Sequence, residues 1–407
     1  MGSVRGVIDM NIIEYAKFKK MFGGSGGSGG GTDVVKEKDV NFYDYDGTLL
    51  HSFTLAEAQA LTELPTLPEH EGLIAQEWNY TLEKIKSYDR RVDIGATYIT
   101  DDGKTRLYIT IPVDGRKTIP LYFRQTAANG VTIDWGDGSA TETLSNKGSV
   151  NTSHTYASGG DYVIALAVNS GTLELGQYNN SYNVFGKLAT TEINYAECHA
   201  QTNMLKKVEF GRGVTDVGVT PFKLCRALKT VTIPNSVSSM NAYAFEYCMS
   251  LEFVVIPKSF TAIAVGKPFG NCYALRKVVF PNNISMLGSS NIGMFNNCYS
   301  LDNIVLPNGL SHFNQYVFSY CTSLVSIKIP AKVTNIGNSV FYGCIGLKVC
   351  DLTSHTSVPT LGTNVFGNVA TNTPSDLEIR VPAALYDEWI AATNWATYAD
   401  YIVAVEA

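Results

Sequence analysis

One apolar pattern recurs six times between residues 222 and 353 and sets the period of the chain. Five copies have a Phe, a Cys three positions later, a Leu three positions after the Cys, and then Val or Ile, an apolar residue and Pro, and the sixth has Cys350 in place of Val or Ile and Thr353 in place of Pro. The second copy is Phe245, Cys248, Leu251, Val254, Ile256 and Pro257. Successive cysteines lie about 23 to 26 residues apart, a spacing typical of solenoids. Because a repeat this short cannot bury its own apolar face, the pattern predicts coils stacked into one elongated domain.

The spacing within each copy predicts a short strand. Leu, Val or Ile, and the last apolar residue follow the period-two pattern of a strand with one buried face. Pro ends the strand because it has no N–H for the ladder, and Phe and Cys then fall on the returning arm. We expect one parallel sheet along one face of the solenoid. The repeat resembles the BspA-type leucine-rich repeats of bacterial surface proteins.

Upstream of the repeats, residues 91–175 show the alternating runs of a β-sandwich. Strands are predicted at residues 98–100, 107–111, 119–123, 131–135 and 162–168, with turn residues between them. An Asp-Trp-Gly-Asp-Gly turn at residues 134–138 and a His-Thr-Tyr run at residues 154–156 resemble those of PKD-type immunoglobulin-like domains. In that family Trp135 would be a core residue. A calcium site at Asp134 and Asp137 is the alternative, although the loop lacks the spacing and the closing Glu of an EF-hand.

Residues 39–90 predict a small α+β unit, the leader module. Two strands at residues 40–45 and 49–53 flank a turn at Gly47, and Thr54 with Glu57 gives the capping-box signal of a helix. The run Tyr-Asp-Tyr-Asp-Gly-Thr-Leu-Leu from Tyr43 resembles the leader modules of tail-associated proteins in phages and prophages of gut bacteria.

The pair Asp44 and Asp46 allows a second interpretation. Asp-x-Asp-Gly-Thr matches the first motif of haloacid-dehalogenase-type phosphatases, in which the first Asp attacks phosphorus and the second acts as acid and base. That chemistry needs a doubly wound sheet with further βα units, and only about fifty residues follow before the all-β pattern begins. A plain Asp-Gly hairpin turn is therefore the preferred interpretation.

The N-terminal segment predicts a short helix at residues 4–22. Its apolar face holds Ile8, Ile12, Tyr15 and Phe18, and the glycine- and serine-rich run that follows is a flexible coil. Because an isolated helix of this length is marginal in water, the face predicts assembly with its own copies or docking to a partner. An engineered tag and linker is the open alternative. The segment also resembles the N-termini of the phage tail proteins.

These patterns divide the chain into six segments and give a mostly β, modular fold class. The segments are an N-terminal helix (1–22), a Gly/Ser-rich linker (23–38), the leader module (39–90), the PKD-like sandwich (91–175), the leucine-rich repeat solenoid (176–382) and a C-terminal capping helix and tail (383–407). The capping helix is predicted over residues 383–393, with Leu385, Trp389 and Ile390 on one side.

Composition narrows the function classes. The chain has 407 residues, 17% charged residues, a net charge of −6 and no basic stripe, so nucleic acid is not expected as a partner. No run approaches the roughly 18 apolar residues of a membrane helix, and the N-terminus lacks the features of a secretory signal. We therefore expect synthesis in the bacterial cytoplasm and no membrane insertion. The cysteines fit the repeat as small buried hydrophobes, with a disulfide or metal ladder as the alternative, and no cofactor or metal is expected.

Two sets of solenoid residues are candidates for ligand binding. The first is the apolar set on outward columns of the predicted strands: Phe253, Val255, Val279 and Val305. It predicts a binding patch or cover by another domain, and ordinary β-propensity is the alternative. The second set lies beside the cysteines on the returning arm: Tyr247, Tyr273, Tyr299, Tyr320 and Tyr342. Because tyrosine makes adaptable contacts at low ordering cost, this arm is the preferred candidate.

The resemblances imply a non-catalytic, tail-associated protein of a phage or prophage. The N-terminal helix would attach it to other tail proteins of the virion as a homo-oligomer, and the leucine-rich repeats would bind a bacterial surface protein or glycan. The alternative is a BspA-type adhesin on the bacterial cell surface, which would carry a signal peptide and a wall anchor that the sequence does not show. A phosphatase at Asp44 and Asp46 is the third hypothesis.

Overall fold

The computed structural model describes residues 38–176, 182–187, 203–261, 263, 266–287, 293–369 and 376–406. The predicted N-terminal helix, with Ile8, Ile12, Tyr15 and Phe18, lies outside these residues, as does Cys198. Residues Glu37–Ala407 form one compact unit, and this unit is mostly β.

The leader module is a four-stranded sheet with two short helices. Its strands are β1 (Val40–Tyr43), β2 (Leu49–Phe53), β3 (Leu73–Trp78) and β4 (Val92–Thr100), in the order β2-β1-β4-β3. Helices α1 (Leu55–Gln59) and α2 (Leu82–Lys86) follow β2 and β3, and α1 begins at the predicted capping box. Residues 98–100, predicted as a sandwich strand, are wrongly assigned because β4 pairs with β1 and β3. The leader module therefore extends to Thr100.

Two packed sheets follow the leader module. Their strands are β5 (Thr105–Ile111), β6 (Thr118–Gln125), β7 (Val131–Asp134), β8 (Glu142–Thr143), β9 (Gly148–Thr155), β10 (Gly160–Val168) and β11 (Leu173–Leu175). One sheet holds β5-β10-β7-β8 and the other β11-β6-β9. Alternate residues of β5 and β6 are buried, so the two inner faces form one core, as the period-two pattern predicts.

The solenoid carries two ladders of short parallel strands. After the hairpin β12 (Tyr182–Asn183) and β13 (Gly186–Lys187), its strands are β14 (Leu205–Glu209), β15 (Asp216–Val217), β16 (Thr230–Thr232), β17 (Ser239–Met240), β18 (Phe253–Val255), β19 (Lys277–Val279), β20 (His312–Phe313), β21 (Ser326–Lys328), β22 (Asn335–Ile336), β23 (Val349–Asp351), β24 (Thr360–Leu361) and β25 (Glu378–Pro382). The first ladder contains the predicted Leu-Val/Ile strands. The second ladder, represented by β20-β22-β24, is a difference from the single sheet that we expected.

The sandwich and the solenoid share one sheet and one core. β14 pairs antiparallel with β5 and parallel with β16. The buried apolar side chains are continuous from Leu107 in the sandwich to Trp395 at the end of the solenoid. The repeat phenylalanines stack along this core from Phe222 to Phe366, with ring centroids 5.3 to 5.8 Å apart. The sandwich and the solenoid are therefore parts of one compact unit.

The C-terminal segment closes the core with a shorter helix than predicted. A 3-10 turn (Ala383–Leu385), helix α3 (Tyr386–Ala391), a second 3-10 helix (Trp395–Tyr401) and strand β26 (Ile402–Val405) follow one another. The predicted helix stops early because Ala392 is extended and Asn394 is left-handed, with φ of 65°. Trp389 and Trp395 are fully buried. None of the helices in the described part of the chain has the length and apolar character needed to cross a membrane.

Candidate recognition surface

The leader module lies on the first ladder of the solenoid. Its strand β4 contacts β16, β18 and β19, and Tyr43 packs with Phe253, Val255 and Val279 in one buried cluster. The exposed fractions of these three solenoid residues are 6%, 5% and 1%. The sequence allowed either an exposed binding patch here or cover by another domain. The structure shows cover by the leader module. These three candidates are not accessible to an external ligand.

Two leader glycines allow this close approach. A Cβ added at Gly95 would lie 2.5 Å from Cγ1 of Val255, and one added at Gly47 would lie 2.9 Å from Cδ2 of Phe253. Both separations are shorter than a normal contact between carbon atoms, which is about 3.5 to 4.0 Å. The solenoid side chains therefore occupy the space that a leader side chain would need.

A buried ion pair lies beside the apolar cluster. The Lys277 ammonium is 3.0 Å from the Asp93 carboxylate and donates to the Tyr43 hydroxyl at 2.6 Å. Lys277 is 7% exposed and Asp93 is 3% exposed. Asn41 donates to the other oxygen of Asp93 at 3.1 Å. Because a buried pair is tolerated only when its remaining hydrogen bonds are made, this network specifies one register of the leader module on the solenoid.

Polar contacts extend along the edge of the same interface. The Asn79 side chain donates to the Ile256 carbonyl at 3.0 Å, and its oxygen accepts from the Gly95 N–H at 2.9 Å. Further along the solenoid, Arg90 donates to the Leu306 carbonyl at 3.1 Å. The leader module therefore covers the first ladder from β16 to Leu306.

The part of the solenoid that follows these contacts carries several exposed apolar side chains, and we name residues 309–351 the open coils. Val305, the fourth apolar candidate, is half-buried and lies outside the strands. The exposed large apolar side chains of the described residues are Ile74, Val113, Tyr316, Val325, Ile345 and Val403. Three of these six lie in the open coils, with exposed fractions of 40%, 49% and 52% for Tyr316, Val325 and Ile345.

The five candidate tyrosines of the returning arm do not form a single column. The rings of Tyr273 and Tyr299 lie 4.9 Å apart and shield each other, so that 5% and 7% of these residues is exposed. Tyr320 and Tyr342 form a second pair at 5.4 Å, with an edge-to-face arrangement, and both are half-buried. Tyr247 packs against Leu224. The Tyr320–Tyr342 pair is thus the part of this set that lies in the open coils.

Backbone geometry accounts for part of the Asn enrichment on this arm. The residue before each repeat cysteine has φ between 60° and 71° at Leu224, Tyr247, Asn271, Asn297, Tyr320 and Gly343. This left-handed conformation favours Gly and Asn. The N–H of these residues bonds to the following coil, as from Tyr247 to the Gly270 carbonyl at 2.9 Å. An Asn at this position can therefore be explained by the turn alone, without a role in ligand binding.

The repeat cysteines form a buried column with a hydrogen-bonding role. Seven cysteines, Cys225, Cys248, Cys272, Cys298, Cys321, Cys344 and Cys350, are free and buried. The thiol of Cys298 donates to the Phe269 carbonyl of the preceding coil at 3.1 Å, and Cys344 does the same to Phe318 at 2.9 Å. Burial raises the pKa of the Cys344 thiol to about 12, so this thiol is a poor nucleophile. The sequence pattern predicted the burial but not this bond between coils.

Family comparison agrees with this geometry. The model of the BspA type leucine-rich repeat region matches six copies, over residues 191–293 and 265–373. The solenoid is a BspA-type leucine-rich repeat region. This repeat class is typically non-catalytic, and no enzyme family is evident among the matches. A comparison with curated proteins gives no match.

Three solved structures are similar to part of the chain. The T. pallidum leucine-rich repeat protein TpLRR has 28% identity and a TM-score of 0.35, with 39% of this chain and 71% of that chain covered. A Bacteroides ovatus leucine-rich repeat protein has 22% identity and a TM-score of 0.32, with coverage of 44% and 54%. A leucine-rich cell surface protein of Faecalibacterium prausnitzii has 24% identity and a TM-score of 0.28, with coverage of 42% and 60%.

Outside the BspA-type region, Asp44 and Asp46 are part of a hairpin turn. β1 and β2 pair antiparallel across it, and Gly47 has φ of 93°. The buried Asp44 carboxylate lies 2.7 Å from Nε2 of His70, and Asp46 accepts from the Thr48 N–H at 2.9 Å. The sheet order β2-β1-β4-β3 is not that of a doubly wound sheet. The motif therefore positions a turn, as its preferred interpretation predicts.

The Trp-Gly-Asp-Gly turn of the sandwich is also built from internal contacts. Asp137 lies 2.6 Å from Nε2 of His154, and the His154 ring stacks on Trp135 with centroids 5.0 Å apart. Hydrogen bonds from Ser139 and His154 lower the pKa of Asp137 to about 2. Within the described residues, no group of three or more His, Cys, Asp or Glu side chains is placed to hold a metal ion.

Proposed function

We propose that the protein is a non-catalytic recognition protein that binds a receptor on a bacterial surface through the open coils. The observation that carries this proposal is the division of the BspA-type solenoid. The leader module buries the strand face as far as Leu306, and three exposed apolar side chains lie beyond it. We propose that these side chains belong to one contact surface, because contiguous exposed apolar surface marks interaction sites.

We test the receptor site with labelled full-length protein on whole bacterial cells. The double variant Val325→Glu with Ile345→Glu should lower cell binding at least tenfold, because it places two charges in the apolar centre of the contact. The matched control is Val113→Glu, which changes a 77% exposed valine of the sandwich. Equal binding of the two variants, or no binding by the unmodified protein, contradicts the proposal.

The finer proposal is a tail-associated protein of a phage or prophage. It is supported by the resemblance of the N-terminal segment and of the Tyr-Asp-Tyr-Asp-Gly-Thr run, and it makes residues 4–22 an assembly helix. The molar mass in solution should then be that of an oligomer for the full chain and that of a monomer for a chain starting at Thr32. Two monomers would instead favour the alternative, a BspA-type surface adhesin, which the repeat family supports.

A further inference from the structure

A trough runs across the second ladder inside and just beyond the open coils. It occupies about 290 Å³, which is near the lower end for small-molecule sites. It is lined by Phe313, Asn314, Gln315, Asn335, Ile336, Gly337, Asn338, Leu361 and Gly362. β20, β22 and β24 pair in register, so Asn314, Gly337 and Gly362 occupy the same position in three successive coils. Two of these three residues are glycine, which lets the successive coils approach one another closely beside the trough.

The backbone of the coils that line the trough is closely packed at Gly337 and Gly362. A Cβ added at Gly337 would lie 2.8 Å from the carbonyl carbon of Asn314, and one at Gly362 would lie 2.5 Å from the backbone nitrogen of Asn338. Neighbouring coils pack too closely to give way, because the contacting atoms are backbone atoms. The trough is therefore preformed and does not need a ligand to open it.

The walls of the trough are amides and contain no charged side chain. The Asn338 side-chain oxygen accepts from the Thr363 N–H at 2.8 Å, which fixes that amide. Asn335 donates to the Thr360 hydroxyl at 2.6 Å. Among the described residues, the Gln315 amide has no partner, and its donor and acceptor groups remain available. Planar amides both donate and accept hydrogen bonds, as sugar hydroxyl groups do.

An exposed aromatic ring borders the amides. Tyr316 follows Gln315 directly, and its N–H donates to the Asn338 carbonyl at 3.0 Å. Tyr316 is exposed, with an exposed fraction of 40%. An aromatic face can pack against the apolar C–H face of a sugar ring while its hydroxyl stays in water.

We infer that this trough binds one or two units of a neutral carbohydrate. This inference rests on the proposed recognition function and names its ligand class. A protein partner would need about 800 Å² on each side, whereas the trough, at about 290 Å³, has room only for a short piece of a chain. An acidic sugar would need a cation, and the lining residues include none.

The test titrates the full chain with neutral tetrasaccharides of glucose, mannose and N-acetylglucosamine, and with acidic tetragalacturonate as the comparison. Saturation-transfer NMR and calorimetry should detect at least one neutral sugar and not the acidic one. Gln315→Ala should weaken that binding about fivefold, the effect of one hydrogen bond. Tyr316→Asn, which retains a residue tolerant of the left-handed backbone at φ of 60°, should weaken it about tenfold.

Asn303→Ala is the matched control, because Asn303 is, like Gln315, a half-buried amide of the repeats, and it does not line the trough. Absence of binding to all the neutral probes overturns the inference, and so does equal binding by Gln315→Ala and Asn303→Ala. The cell-binding assay separates the two levels of failure. If Gln315→Ala and Tyr316→Asn bind cells like the unmodified chain, the trough inference fails and the proposed function stands. If the unmodified chain binds no cells, the proposed function itself fails.

Discussion

At the scale of single residues, the interface between the leader module and the solenoid depends on the absence of one side chain. Gly95 lies in the middle of β4, where a larger residue would normally have the better strand propensity. Its position is occupied instead by the methyl groups of Val255, at 2.5 Å and 2.6 Å from an added Cβ. The glycine therefore lowers the strand propensity of β4 but allows close packing between two distant parts of the chain.

Gly95→Ala should lower the free energy of unfolding by about 1–3 kcal/mol, because the new methyl group overpacks the interface. Val255→Ala removes the clashing methyl groups. The loss of unfolding free energy in the double variant should therefore be smaller than the sum of the losses in the two single variants, by more than about 0.5 kcal/mol. Urea unfolding monitored by circular dichroism measures all four proteins.

The control pairs Gly95→Ala with Val231→Ala, which shortens a buried valine in the neighbouring strand β16. Those two effects should add. Non-additivity with Val231, or additivity with Val255, would show that the contact at Gly95 does not limit the packing.

Residue roles on the solenoid follow from the sequence only as far as the repeat extends. Alternation along each strand correctly predicts that Phe253 and Val255 leave the solenoid core. It cannot predict what covers them, because Tyr43 comes from a module about two hundred residues earlier and shares no pattern with the repeat. The same limit applies to the Cys298 thiol, whose acceptor on Phe269 is defined only once the coils stack.

At the scale of elements, the C-terminal cap packs against a solenoid histidine that has two carbonyl neighbours. His355 is 4% exposed, and its two ring nitrogens lie 3.1 Å from the Leu352 carbonyl and 3.2 Å from the Val333 carbonyl. Its ring also lies edge-to-face with Trp389. Burial lowers the pKa of His355, against the opposing effect of the two carbonyls and Asp351.

A lowered pKa makes the cap sensitive to acid. Below the ordinary histidine pKa of about 6.5, the unfolded chain takes up a proton that the folded chain does not. The stabilising contribution is therefore complete above that pH and is lost as the pH falls toward the folded-state pKa. The free energy of unfolding should decrease between pH 7 and pH 5, and less steeply in His355→Gln.

The pKa of His51 is lowered by burial as well, so the comparison is made in a His51→Gln background. Urea unfolding of His51→Gln and of the double variant with His355→Gln, at pH 7, 6 and 5, isolates the contribution of the cap. Identical pH slopes for the two proteins would contradict a role for His355.

Elements with a clear period are predictable from this sequence, and very short ones are not. The Leu-Val/Ile strands follow from a pattern repeated six times. The second ladder consists of two-residue strands such as Asn335–Ile336, which are too short to show a period of two. For this reason the trough at Gly337 and Gly362, which depends on that ladder, could not be predicted either.

At the scale of the whole molecule, modules that the sequence separates are joined by a shared sheet and a shared core. β5 of the sandwich pairs with β14 of the solenoid, and the leader module is held by the buried pair Lys277–Asp93. The predicted boundaries mark places where the sequence pattern changes. They do not separate independently packed domains. A spacer that moves independently of the repeats is not what this structure contains.

The four tryptophans can test this joint behaviour. Trp78 lies in the leader module, Trp135 in the sandwich, and Trp389 and Trp395 in the cap. Three variants that each retain only Trp78, Trp135 or Trp395, with phenylalanine at the other positions, should each unfold in urea at one midpoint by fluorescence and by circular dichroism.

Each variant serves as its own reference, because its fluorescence midpoint is compared with its own circular dichroism midpoint. A Trp78 signal that changes before the circular dichroism signal would show that the leader module detaches first. Separate midpoints for Trp135 and Trp395 would show that the common core is not cooperative.

The ion pair between Lys277 and Asp93 also imposes an order on folding during synthesis. Lys277 follows its partner Tyr43 by 234 positions in the sequence. At a typical synthesis rate of about 5–20 residues per second, it is made on the order of 10 to 50 seconds later. Until then Tyr43 and Asp93 have no solenoid face to pack against. The nascent leader module must therefore stay unaggregated with its docking face open, and its packing is completed only after the solenoid strands that follow it have been made.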